Sequence, residues 1–342
     1  MRLLLICAAL AALGYVTAVV IVNRLAEPDN GPLGVVNRSD SLPVAERSLE
    51  VLSWNLGYAG LGAESEFVAD GGNRVLSPSA AIVDKNLSGI KLVLAGHKTT
   101  DVLLLQEVAV TSPLNYWRAV MDAITSLRRG AGHAFLADVA TRLLPWPVRL
   151  EHGLATYSNV RIGQAESVAL PLESSHWLGL LRKQYALLVT RMPVEGDTRQ
   201  WVIVNMHLAA FDDGGATRRK QLAKAIAFAT REYQNGNWVV VGGDWNMVLG
   251  GRSFPHKTEA AFTAWVHAMP EGTVPEGWQM VIDPERPTVR TLQKPYVAGE
   301  NYVTIIDGFL VSPNVSAEAV RTIDLGFAYS DHHPVVARFK AK

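Results

Sequence analysis

Eight apolar, β-branched runs recur along the chain: LEVLSWN, DVLLLQEV, GLATYSN, QYALLVTRM, WVIVNMHL, WVVVGGDWN, TIIDGFLVS and HPVVARF. Runs of this length and composition read as buried strands. Between them Ser79 to Gly96, Asn115 to Arg129 and Thr217 to Tyr233 carry apolar residues at helical spacing. No repeat at solenoid periods interrupts the pattern, so residues 48–342 are expected to form one α/β domain. The way the runs end constrains the chain further. In turn they deliver Asn55, Glu107, His207, Asp244 with Asn246, Asp307, and Asp331 with His332. Asp and Asn commonly end strands as turn formers, so one such residue means little. Their repetition predicts a site built from strand ends.

The residue types narrow the chemistry. The set offers carboxylates, side-chain amides and two histidines, with no Gly-x-Ser-x-Gly elbow. The single cysteine, Cys7, lies in the N-terminal apolar run, which excludes structural disulfides and Cys-ligated zinc from the rest of the chain. Oxygen-rich ligands suit a hard cation such as Mg²⁺ or Mn²⁺. Metal-assisted hydrolysis of a phosphate ester fits this inventory.

The N-terminus predicts a membrane segment. Leu3 to Val22 runs 20 residues without a charge, enough at about 1.5 Å per residue to cross a hydrocarbon core about 30 Å thick. Residues 1–24 are read as a transmembrane anchor or signal sequence. Val16-Thr17-Ala18 resembles a cleavage site, but the apolar Val19 to Val22 that follow favour a retained anchor. The Pro- and Gly-containing residues 25–47 are expected as a linker, with the large domain outside the cytoplasm.

The ordered motifs SWN (Ser53 to Asn55), LLLQEV (Leu103 to Val108), VNMHL (Val204 to Leu208), GGDWN (Gly242 to Asn246), IDGFLVS (Ile306 to Ser312) and SDHHPV (Ser330 to Val335) resemble the endonuclease/exonuclease/phosphatase superfamily. That group includes deoxyribonuclease I, apurinic endonucleases, inositol polyphosphate 5-phosphatases and neutral sphingomyelinases. The resemblance spans about residue 48 to the C-terminus. It implies a four-layered α-β-β-α sandwich of two packed mixed sheets, with the site at one edge. It further implies that Glu107 is the principal metal ligand, with Asn55 beside it and Asp331 near the ion. Asp244 and Asn246 would orient the attacking water, and His332 would act as general base or phosphate ligand, oriented by Asp307. His207 matches the second histidine of the deoxyribonuclease and sphingomyelinase branches.

Other polar and aromatic residues read more plainly. His333 should point away from His332 and serve structure. Asp283 and Asp324 read as turn residues, and His152 is placed near the site or not with equal reason. Asp70 and Arg74 fall in a Gly-rich insert whose default is a solvated loop. Trp54 and Trp245 should pack in the core. Trp146 and Trp177 sit in apolar loop segments, where buried packing is expected and lipid contact is the alternative.

Substrate class is open at this stage. Lys and Arg number 32 against 32 Asp and Glu, giving a net charge of zero and no long-range field for a polyanion. The pairs Arg128-Arg129 and Arg182-Lys183 and the triplet Arg218-Arg219-Lys220 read as solvated faces. A phospholipid head group is therefore at least as well supported as nucleic acid, and no sequence feature points to a protein partner. The reading from a different class is a catalytically silent, membrane-anchored binding protein that keeps the fold.

Overall fold

A computed structural model describes residues 1–37, 42–173, 182–210 and 212–342. Trp177 lies outside them. Two seven-stranded sheets form the body. The first runs β1 (Gly31–Leu33), β7 (Gln164–Ala169), β8 (Ala186–Pro193), β9 (Gln200–His207), β10 (Trp238–Asp244), β14 (Asp307–Val311) and β11 (Gln279–Val281). The second runs β15 (Val315–Thr322), β16 (Val335–Ala341), β3 (Ser48–Asn55), β4 (Val102–Thr111), β6 (Glu151–Ser158), β5 (Gly132–Ala140) and β2 (Val35–Val36). A two-stranded pair, β12 (Val289–Arg290) and β13 (Val303–Thr304), lies apart from both. Each large sheet is mixed: β3 and β4 are parallel, as are β9 and β10, while their other neighbours are antiparallel.

Strands buried on both faces explain the continuous apolar runs. Val51, Leu104, Ile203, Val240, Phe309 and Phe339 fill the space between the sheets. On the outer face of the second sheet, Leu52, Trp54, Leu103 and Leu105 pack against helices α2 (Ala80–Gly96) and α3 (Val120–Leu127). On the outer face of the first, Val202, Val239 and Leu310 meet α4 (Ala216–Gln234) through Leu222, Ala225 and Phe228. The result is the four-layered sandwich expected. Ser79 caps α2 by accepting from the Ile82 N–H at 3.2 Å.

Three details depart from the sequence reading. The helix expected over Asn115 to Arg129 contracts to Val120–Leu127, because Tyr116 and Trp117 adopt positive φ. Strands β5, β7 and β15 went unread because their polar and small residues dilute the apolar pattern. The stretch expected as a linker carries β1 and β2, which pair with the edges of both sheets. Backbone pairing at a sheet edge needs no apolar run, and Gly31-Pro32 reads as a turn in sequence.

Helix α1 (Arg2–Arg24) precedes this body. Leu4–Arg24 is long and apolar enough to cross a membrane, with mean hydropathy 2.6, and a signal sequence meets the same test. Its C-terminal half is tied to the β5–β6 connection. Asn23 donates to the Arg142 carbonyl at 2.8 Å and accepts the Arg142 N–H at 2.6 Å, and Tyr15 Oη donates to the Leu143 carbonyl at 2.6 Å.

Candidate active site

Strand register alone brings most of the expected residues to one edge. Asn55 ends β3, and the parallel β4 carries Glu107 past the same end. His207 and Asp244 are register partners at the ends of the parallel pair β9 and β10, and Asp307 opposes Asp244 where the antiparallel β14 begins. His332 lies just before β16, whose Val335 opposes Ser53. Two local devices aim the side chains. A bulge in β4 between Leu105 and Val108 puts Glu107 at φ 52, turning it out of the ladder. In GGDWN, a Cβ on Gly243 would lie 1.9 Å from the Met206 carbonyl oxygen, so only glycine lets β10 lie this close to β9.

Asn55, Glu107, His207, Asp244, Asn246, Asp331 and His332 line one open cleft of about 110 Å³, with Tyr58, Asp70 and Arg290. Asp307 sits behind His332, fully buried, accepting from Nδ1 at 2.9 Å. The other ring nitrogen, Nε2, faces Asp244 Oδ2 at 3.7 Å. That same oxygen accepts from Asn55 Nδ2 at 3.0 Å and faces His207 Nε2 at 3.4 Å. Asp244 Oδ1 accepts the Asn246 N–H at 2.9 Å. Asp244 is thus the hub of the cluster.

The electrostatics follow from this packing. Burial opposes charge on His332, yet Asp307 and Asp244 hold its pKa well above the ordinary value. Burial also works against ionised Asp244, but His207 and His332 keep its pKa below the ordinary carboxylate value. His207 is pushed down, by burial and then by Lys183. Asp331 is raised to about 7 by burial; His332 opposes the shift and Glu107 adds to it.

Asp244, Asp307 and His332 place ligand atoms within 4.8 Å of one another. His332 Nδ1 engages Asp307 Oδ2, and Asn55 and the Asn246 N–H engage Asp244, while Asp307 Oδ1 is left without a hydrogen-bond partner among the described residues. Glu107 and Asp331 both line the cleft, which Asp307 does not, and offer the more accessible cation site. No hydrogen-bond donor among the described residues reaches the Glu107 carboxylate, and the neighbouring buried Asp331 bonds only the Ser330 hydroxyl, at 3.3 Å. Neither carboxylate makes an ion pair among the described residues, although His332 and Arg290 act on Asp331 from farther off, and such a pair fits a hard divalent ion. Asn55 Oδ1 accepts the Gly57 N–H at 3.0 Å and Nδ2 is engaged by Asp244, so this side chain is fixed in the wall of the cleft.

Sequence reasoning missed a second polar row. Lys183 Nζ lies 2.9 Å from His207 Nδ1 and 3.3 Å from Asp138, which faces His152 at 3.5 Å. His152 stacks on Tyr58 at 6.2 Å, one layer behind the cleft. Within Arg182-Lys183 this lysine looks solvated; it is recognised only by the buried partners it meets in three dimensions. Arg218, also read as part of a solvated triplet, is fully buried. It binds Asp212 at 3.0 Å and donates to the carbonyls of Asn246 and Ala210. Asp70 leaves the solvated loop expected of it to line the cleft, accepting the Leu292 N–H at 2.8 Å, and burial raises its pKa to about 6. Arg74 stays at the surface near Glu66.

The plainer readings hold elsewhere. His333 packs on Phe327 at 3.8 Å and accepts the Phe327 N–H. Asp283 and Asp324 each accept a backbone N–H two residues on. Trp54 and Trp245 are buried, and the Trp54 indole donates to the His332 carbonyl at 2.9 Å. Trp146 is a correction: 71% exposed, it is not packed into the body. The Leu143–Val148 segment projects beyond the β5–β6 hairpin, where no layer is available to cover it.

No protein-family model matches the sequence, and no curated protein does. Solved structures match the fold. An endonuclease/exonuclease/phosphatase from Beutenbergia cavernae DSM 12333 is similar at 17% identity and a TM-score of 0.56, over 86% of this chain and 72% of that one. D. rerio TDP2, solved with a single-strand DNA product, is similar at 18% identity and 0.52, over 86% and 99%. The human Nocturnin catalytic domain, solved with a bound sulfate anion, is similar at 16% identity and 0.51, over 91% and 98%. This chain has the fold of the endonuclease/exonuclease/phosphatase structures.

Proposed function

We propose that the protein is a divalent-metal-dependent phosphoesterase, held at a membrane by α1. The observation that carries this reading is the cleft itself. It joins a His332–Asp307 pair, an ionised Asp244 and two carboxylates that make no ion pair among the described residues. Similar folds solved with a DNA product and with sulfate, an anion shaped like phosphate, support a phosphoester substrate.

Glu107 and Asp331 would hold Mg²⁺ or Mn²⁺, with Asn55 fixing the wall beside them. When bound, such an ion neutralises charge developing on the phosphoryl oxygens. Asp244 is the base that accepts a proton from the attacking water, because its neighbours keep it ionised. His332, kept protonated by Asp307 and Asp244, donates through Nε2 to a phosphoryl oxygen as charge builds there. Asn246 and His207 complete the donor set around that oxygen.

The test is turnover by the full-length chain in detergent, with Mg²⁺, Mn²⁺ or EDTA, on plasmid DNA and on phospholipid vesicles. Metal-dependent release of product from either substrate is expected. Turnover that survives EDTA would overturn the metal assignment, and no turnover on any phosphoester would favour the silent binding protein.

A further inference from the structure

The β5–β6 connection combines features that a water-facing loop does not need. Trp146, Leu143 and Val148 are 71%, 54% and 53% exposed, and Trp117, 42% exposed, lies 6.1 Å from Trp146 ring to ring. A contiguous apolar patch of this kind marks an interaction surface.

Part of the loop's backbone is satisfied within the protein. Pro145 and Pro147 have no N–H. The Leu143 carbonyl accepts from Tyr15 Oη, the Pro147 carbonyl from the Trp117 indole at 2.6 Å, and the Pro145 carbonyl from the Val148 and Arg149 N–H groups at 3.0 Å. The remaining backbone groups suit the wet headgroup region, where an irregular loop can lay apolar side chains against the acyl boundary.

Position identifies the occupant. Asn23 clasps Arg142, and eight residues earlier Tyr15 holds Leu143. Arg142 and Leu143 are consecutive, so the Tyr15 side chain reaches back along the helix to meet the loop, which lies beside the C-terminal half of α1. With α1 across a bilayer, a loop beside its C-terminal half lies at the interfacial level, where Trp is favoured.

We propose that the Arg142–Arg149 loop, with Trp117, is a lipid-inserting tip that enters the same bilayer surface as α1. Strand register gives the consequence. His152, at the start of β6, opposes Ala109 of β4, just past Glu107, so the loop leaves the sandwich at the edge that carries the cleft. Insertion turns that edge toward the lipid surface. This rests on the membrane reading of α1, which the label on Cys7 tests separately, and not on the phosphoesterase chemistry.

The full-length chain is reconstituted into vesicles of phosphatidylcholine and phosphatidylglycerol containing phosphatidylcholine with a tail nitroxide. An environment-sensitive fluorophore is placed in turn on native Cys7, which reports α1, and, in Cys7→Ser, on Trp146→Cys, Val148→Cys or Glu318→Cys. Glu318 is exposed on β15, at the opposite edge of the sheet. The expected result is a blue shift and nitroxide quenching at positions 7, 146 and 148, with neither at 318. Labels at 146 and 148 that behave like 318 while Cys7 is quenched would overturn the proposal. A blue shift at 146 without quenching by the lipid nitroxide would assign the patch to a second copy of the chain and overturn it equally.

Discussion

Replacing Asp331 by Asn should stabilise the metal-free protein and abolish its response to metal. Burial, with Glu107 adding, raises the Asp331 pKa from 3.8 to about 7. A carboxyl whose folded pKa is raised folds more readily when neutral. Its cost is absent below about pH 4, grows between pH 4 and 7, and is complete above that range. Three units at about 1.4 kcal/mol each give a cost of ~4 kcal/mol at pH 8. Asparagine keeps the shape and never ionises. At pH 8 in EDTA the variant should therefore melt higher than the wild type, by roughly 8 °C at most at about 2 °C per kcal/mol. At pH 5 the cost falls to roughly 1.5 kcal/mol and the gap should narrow accordingly. Addition of Mg²⁺ should raise the wild-type Tm and leave the variant nearly unchanged, because the ion binds the folded state through the carboxylate just removed. Thermal melts of both proteins at two pH values, with Mg²⁺ or EDTA, decide the matter. A variant that melts at or below the wild type at pH 8 in EDTA would refute the claim that Asp331 is held at a cost until a cation arrives.

Asp244→Asn should lower kcat by 100-fold or more, the scale of a lost general base, with far-UV circular dichroism unchanged. Activity should fall as pH drops through the depressed pKa of Asp244 and again as pH rises through the elevated pKa of His332; a flat profile would contradict the roles given to both. Lys183→Met should raise the His207 pKa by removing its neighbouring positive charge, visible as a displaced histidine titration by NMR. Arg218→Met should destabilise by about 3–5 kcal/mol in urea melts, since it leaves Asp212 buried and unpaired.

Much of this architecture was legible because both sheets are buried on both faces. Such strands need uninterrupted apolar residues, so β3, β4, β6, β8, β9, β10, β14 and β16 were visible as runs, and the polar residues ending them stood out. Edge strands obey no such demand. The pairs β1 with β7 and β2 with β5 are held by backbone bonds that carry no side-chain signature. The polar row of Lys183, Asp138 and His152 was hidden for a different reason. A buried lysine is distinguished from a solvated one only by its partners, and Lys183 meets His207 from the connection before β8, where no local pattern specifies the contact. Trp146 was misplaced because an apolar loop has the same composition whether it packs inward or projects.

The reacting groups come in equal measure from both sheets: Asn55, Glu107 and His332 from the second, His207, Asp244 and Asp307 from the first. Beneath them Gln106 Nε2 donates to Asn205 Oδ1 at 2.8 Å, and Asn205 Nδ2 returns across to the carbonyls of Leu105 and Ala155 at 3.1 Å. This buried clasp sets the lateral alignment of one sheet on the other. A slip of one strand residue, about 3.3 Å, would break all three bonds and separate the halves of the site by more than a hydrogen bond's length. Partial loosening of the sandwich therefore switches the site off instead of slowing it. On gentle heating, activity should vanish together with the clasp, before the helices on the outer faces begin to melt.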